Sequence, residues 1–152
     1  MNDSDSIDTL NDLIKTCKDG EYGFATSAEH LRDPALRSLF EARARECADA
    51  AMELQACVKR LGGDPEDGGS ASATLHRGWV AMKSTLAGYT DLAILEECER
   101  GEDVALARYR DAVKEPLPAD VMVIVRQQQE GAQRNHDQIR DLRNEARAAV
   151  KA

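Results

Sequence analysis

Apolar residues recur every three or four positions along nearly the whole chain, and this spacing limits the fold more than any other feature. Ile7, Leu10, Ile14, Cys17, Phe24, Ala28 and Leu31 form one such stripe. Leu36, Phe40, Ala44, Cys47, Ala51, Leu54, Val58 and Leu61 form a second. Asp91, Leu95, Cys98, Glu102, Ala105, Tyr109 and Val113 make a third, and Val121, Ile124, Val125, Gln128, Ala132, Asn135, Ile139, Leu142 and Ala146 a fourth. Residues spaced this way share one face of an α-helix, whereas a half-buried strand would alternate with a period of two. Aromatic residues at 4% and four prolines are also too few for a β-sandwich.

The punctuation between the stripes sets the topology. Asp33-Pro34 reads as an N-cap followed by proline in the first helical position, and Gly62-Gly63 as a helix stop. Residues 64–73 read as a loop, followed by a short helix over 73–87. Gly88-Tyr89-Thr90-Asp91 breaks that helix, with Thr90 or Asp91 capping the next, and Glu115-Pro116-Leu117-Pro118 ends the third long helix. The last helix runs over 119–150. Short turns make the first two long helices, and the last two, antiparallel hairpins. The short helix between them, about 22 Å long at 1.5 Å per residue, carries the chain back along the bundle. The expectation is an all-α, ferritin-like four-helix bundle: two antiparallel hairpins joined by a long crossover containing a short extra helix. Its 152 residues suit a single domain over 1–152.

Charge narrows the partners. A net charge of −8 argues against a nucleic-acid surface and against a polybasic membrane footprint. No run of about 18 apolar residues spans a bilayer. The acidic start, Met1-Asn2-Asp3-Ser4-Asp5, is unlike a secretory signal, so a cytoplasmic location is expected. Cys17, Cys47, Cys57 and Cys98 show no CxxC spacing and are expected to be reduced thiols, three of them on apolar stripes as core filler.

Counting along the helices from the end that holds the first turn places Glu21, Cys47, Glu102 and Gln128 at one depth, each on its stripe. Two carboxylates on core stripes are costly without partners. One reading supplies a partner in Arg43, a turn from Cys47, giving a buried polar layer of Glu21, Arg43, Cys47, Glu102 and Gln128 that needs no metal. The other is a metal site for iron or another divalent cation, since inward carboxylates and two Glu-x-x-His motifs build the di-iron centre of ferritin-like proteins. Glu21 and Glu102 suit its single carboxylates. Glu46 and Glu130 stand where the paired motifs would begin, but Asp49 and Gln133 replace their histidines. Both glutamates are phased off their stripes. His136, at the edge of the last stripe, is a candidate displaced ligand.

Other polar residues read as structural. His30 suits the carbonyls at the end of the first helix, and Trp79, in Leu75-His76-Arg77-Gly78-Trp79, suits an anchor for the crossover helix. The acidic run from Glu96 to Asp103 is mostly a solvated face, with Glu102 phased fully inward and Glu99 partly.

Three stretches carry a resemblance over about residues 7–143: Leu10-Asn11-Asp12-Leu13-Ile14, Leu75-His76-Arg77-Gly78-Trp79 and Ile94-Leu95-Glu96-Glu97-Cys98-Glu99-Arg100-Gly101-Glu102-Asp103. The chain resembles an uncharacterised bacterial family of ferritin-like four-helix-bundle proteins, distantly related to rubrerythrins. The resemblance implies the ferritin-like fold and a bacterial, cytoplasmic setting, and it implies no established activity. Position by position, the superfamily's metal pattern supports Glu21 and Glu102. The expected function is therefore a non-catalytic or weakly metal-binding bundle, stress-related and acting through self-association as a homodimer. The alternative is a di-metal carboxylate enzyme that oxidises Fe(II) or reduces peroxide.

Overall fold

The computed structural model describes residues 3–68 and 90–151 of the chain. These form four long helices: α1 (Asp3–His30), α2 (Pro34–Arg60), α3 (Asp91–Ala112) and α4 (Ala119–Lys151). Among the described residues there is no strand, and no helix is long and apolar enough to cross a membrane. The crossover helix expected over 73–87, with His76 and Trp79, lies outside the described residues.

Local chemistry sets the helix ends. Asp33 caps α2 by accepting the Ala35 N–H at 2.9 Å, and Pro34 occupies the first helical position, where its missing N–H costs nothing. At the far end Gly62 adopts φ +85°, a left-handed conformation that glycine enters without penalty. Thr90, one of the two expected caps, accepts the Ala93 N–H at 3.1 Å and starts α3.

Side-chain ties close both ends of the bundle. The Asp91 carboxylate accepts the backbone N–H groups of Arg32 at 2.8 Å and Asp33 at 3.1 Å. The start of α3 is thereby held at the same end as the α1–α2 turn, as the counting from sequence requires. At the opposite end Asn11 donates to the Asp64 carbonyl at 3.2 Å and accepts the Glu66 N–H at 2.9 Å.

The core divides into two apolar clusters. One gathers Leu10, Ile14, Leu54, Val58, Val121 and Val125 with their neighbours; the other gathers Phe24, Leu31, Phe40, Ile94, Leu95 and Ile139. Phe24 and Phe40 meet edge to face with ring centres 5.4 Å apart. Each fully buried large side chain contributes on the order of 1.5–3 kcal/mol. Helices α1 and α2 pack closely along their length, while α4 buries only Val121, Val125 and Ile139 and meets α2 largely through polar side chains. Between the two clusters the bundle interior is polar.

Candidate functional site

At this middle level α3 presents Glu102 and α2 presents Arg43, each only 8% exposed. Arg43 donates through Nη1 to both oxygens of Glu46, at 3.1 and 3.0 Å, and through Nη2 to Oε1 of Gln138 on α4. Its Nε and the Oε1 of Glu102 are both buried without a hydrogen-bond partner. Burial pushes the Glu102 carboxyl up to about 8; the Arg43 charge pulls it down, and Asp103, Glu46 and Glu99 add to the rise. Glu102 therefore favours its protonated form at neutral pH, which lowers the cost of holding a carboxyl away from water.

A second polar level lies about two turns further along α3. The Cys17 thiol and the Tyr109 hydroxyl are 3.2 Å apart, and Tyr109 donates to Gln128 Oε1 at 2.8 Å. Gln128 in turn donates to the Ala50 carbonyl at 3.2 Å and to Glu53 at 3.1 Å. One chain of hydrogen bonds thus crosses all four helices. Burial pushes the Cys17 thiol up to about 11 and also raises Tyr109, so neither ionises near neutrality. Nearer the α1–α2 turn, the Ser27 hydroxyl and the Cys98 thiol are 3.3 Å apart, and burial lifts Cys98 to about 12.

The single layer expected from sequence is therefore two levels. Glu102 and Arg43 occupy one and Gln128 the other. Helical side chains lean toward their own N-terminus, so across the antiparallel hairpin the long Tyr109 leans away from the turn and Gln128 toward it, and Gln128 pairs with Tyr109 rather than Glu102. Cys47 lies between the levels against Gly20, where a Cβ would stand 2.9 Å from its sulfur. Glu21 does not enter the core: its side chain is 38% exposed and meets Lys18 at 3.4 Å. A two-methylene stem lets its carboxylate reach water from a half-buried backbone position, which avoids the desolvation cost.

Glu46 is on the outside of α2, 54% exposed, bound to Arg43 and accepting from Asn135. Glu130 is exposed on α4. His136 binds Asp103 through Nε2 at 2.7 Å and Asp137 through Nδ1 at 3.3 Å.

Sequence reasoning missed the seam between α3 and α4. Acids at Glu96, Glu99 and Asp103 meet bases at Arg147, Arg143 and His136 in antiparallel order. The Glu99–Arg143 pair is largely shielded from water. The signal lay in the sequence: acids spaced by three and four on one helix face bases spaced by four and seven on the next. It also missed Cys57, fully buried in the first cluster with Arg60 donating to its sulfur at 3.1 Å.

A ferritin-like bundle implies a metal bound by carboxylates, and the donor set here does not match one. Glu102 offers a partnerless oxygen, but the guanidinium beside it is a permanent positive charge that opposes a cation. Glu21, Glu46 and Glu130 point outward. Among the described residues no three His, Cys, Asp or Glu side chains come together in a way that would hold a metal ion.

Comparisons with known proteins bear on the family and the fold. A family model described as a domain of unknown function, DUF2383, matches residues 5–115. No curated protein matches the chain. Among solved structures, a mutant of Dps1 from Mycobacterium smegmatis superposes with a TM-score of 0.75 at 13% identity, over 91% of this chain and 95% of that one. At that identity the likeness establishes the fold alone, an all-helical ferritin-like bundle.

Proposed function

Because the chain belongs to the DUF2383 family, a domain of unknown function, we propose its role from the interior chemistry: a non-catalytic ferritin-like bundle, at most weakly metal-binding, that acts through self-association. The observation that carries this reading is Arg43. It is buried at the level where a di-metal bundle concentrates negative charge, and it binds Glu46 and Gln138 while acting on Glu102. A guanidinium in that position supplies the positive charge a metal would otherwise supply. A homodimer, a cytoplasmic and bacterial setting, a stress-related role and distant kinship with rubrerythrins belong to the same proposal.

The test is metal analysis of protein purified without chelator, followed by Fe(II) titration under air. Well under one metal per chain and no oxidation signal above a buffer blank are expected.

A di-metal oxidase or peroxidase is the second reading. It is favoured by two buried carboxylate oxygens without partners, Glu102 Oε1 and Glu99 Oε2, one turn apart on α3. Stoichiometric iron with an oxidation signal that disappears in Glu102→Ala would establish it and overturn the first reading.

A further inference from the structure

We infer that one water molecule is a built part of the bundle interior, held between Nε of Arg43 and Oε1 of Glu102. This water rests on the metal-free reading proposed above and deepens it. Both side chains are only 8% exposed, and both atoms are sealed from solvent. Among the described residues neither atom has a hydrogen-bond partner, although Arg43 acts on the Glu102 carboxyl more strongly than any other charge does. A donor and a carboxyl oxygen that share one level of the core, feel each other's charge and do not bond are what a bridging water satisfies. Leaving either one unpaired costs more than a typical hydrogen bond contributes.

The chemistry of the two atoms selects the occupant. Arg43 is not free to turn: its Nη1 is committed to Glu46 and its Nη2 to Gln138. Because the guanidinium is planar, those bonds also fix the direction of its Nε–H. Whatever bridges the two must accept from that N–H and also bond a carboxyl oxygen. A cation cannot accept, and the guanidinium repels it. An anion can accept, but it has no proton to give and is repelled whenever Glu102 is ionised. Water accepts from Nε, donates to or accepts from Oε1, and so serves both protonation states of the carboxyl. The helices also supply a route. Helix α4 buries Val125 and Ile139 and nothing between them. Over that stretch it meets α2 through Gln128, Asn135 and Gln138, each hydrogen-bonded to it. A seam of side-chain amides lets water reach the Arg43 level without crossing apolar core.

A high-resolution crystal structure of the chain purified without chelator, with anomalous data collected at the iron edge, tests the proposal. A single peak of water strength is expected within about 3.2 Å of both atoms, with no anomalous signal. Glu102→Gln keeps a carbonyl acceptor and should keep the peak. Glu102→Met fills the space with an apolar side chain of similar length and should lose it. Deuterium relaxation dispersion of the solvent reads the same difference in solution: Glu102→Met should lose about one long-lived water relative to the intact chain, and Glu102→Gln none. Each variant replaces a carboxyl by a neutral side chain of similar size, so circular dichroism should show both folded. Nε bonded directly to Oε1 with no peak between them would overturn the inference and leave the metal-free reading standing. Equal numbers of long-lived waters in the intact chain and in Glu102→Met would do the same. An anomalous peak at that position would overturn both.

Discussion

The Tyr109 hydroxyl donates to Oε1 of Gln128 across the α3–α4 hairpin at 2.8 Å. That bond commits the tyrosine proton, so at the 3.2 Å contact between the two groups the Cys17 thiol must be the donor and the phenol oxygen the acceptor. The network is directional, running from the thiol on α1 through α3 and α4 to the Ala50 carbonyl on α2. Tyr109→Phe keeps the ring and removes the relay, leaving a buried thiol and an amide oxygen without partners. The expected cost is about 1–2 kcal/mol. Urea denaturation should show a lower midpoint with an unchanged m-value, since the surface exposed on unfolding is the same.

Glu102 makes stability depend on pH with a definite sign. Its folded pKa lies near 8, against an ordinary value of 4.5. Between those values the folded chain binds a proton that the unfolded chain has released. Stability from this group is therefore complete below about pH 4.5, falls as pH rises toward 8, and is flat above it. Glu102→Gln imitates the protonated form at every pH. It should stabilise the protein by roughly 1–3 kcal/mol at pH 7 and do little at pH 4. Thermal melts at both values check it, and an equal gain at both would show that burial does not control the carboxyl.

The architecture was legible because helix stripes, caps and short turns are local chemistry. Asp33-Pro34, Thr90 and Gly62-Gly63 mark their boundaries from the sequence alone, and the stripes name most of the core. The depth of each polar residue was not local. Placing Gln128 required the lean and reach of the Tyr109 side chain across the hairpin, which counting backbone residues does not include. Exposure was harder still: Glu21 lies on its stripe by phase, yet its flexible stem takes the carboxylate out to Lys18. The Arg43 partnership was half legible. Glu46 stands three residues along the same helix, a local pairing, whereas Gln138 becomes a partner only because of how α4 lies across α2.

Arg43 and Glu102 should be coupled only when the carboxyl is ionised. A cycle of Arg43→Met, Glu102→Gln and the double variant isolates their interaction. At pH 9 Glu102 is mostly charged, and a coupling of about 1 kcal/mol is expected. At pH 6 it is neutral, and the coupling should fall close to zero. A coupling that is the same at both pH values would mean that the two side chains interact through packing and not through charge.

Three of the thiols are shielded by burial as well as by raised pKa. Cys17 and Cys98 titrate near 11 and 12, and burial raises Cys47 as well. The thiolate is the reactive form, so native protein at pH 8 should react with a chromogenic disulfide reagent far more slowly than the same chain in urea. In urea four equivalents should react rapidly, as the four free cysteines require. Rapid reaction of two or more thiols in the native state would mean that the interior opens far more often than its packing implies.

Gly20 gives the sharpest test of the packing between α1 and α2. Alanine in place of a mid-helix glycine normally stabilises by about 1 kcal/mol through helix propensity. Here the added Cβ would stand 2.9 Å from the Cys47 sulfur, closer than real contacts allow. The sulfur is held by a short side chain in a closely packed seam and has little room to retreat. Overpacking of this kind costs about 1–3 kcal/mol, which outweighs the propensity gain. Gly20→Ala should therefore destabilise the wild-type chain by up to about 2 kcal/mol. Cys47→Ala removes the sulfur, and in that background the same glycine substitution should raise the melting temperature. The reversal of sign between the two backgrounds is what the close approach requires; a gain in both would show that α1 and α2 are further apart at this level.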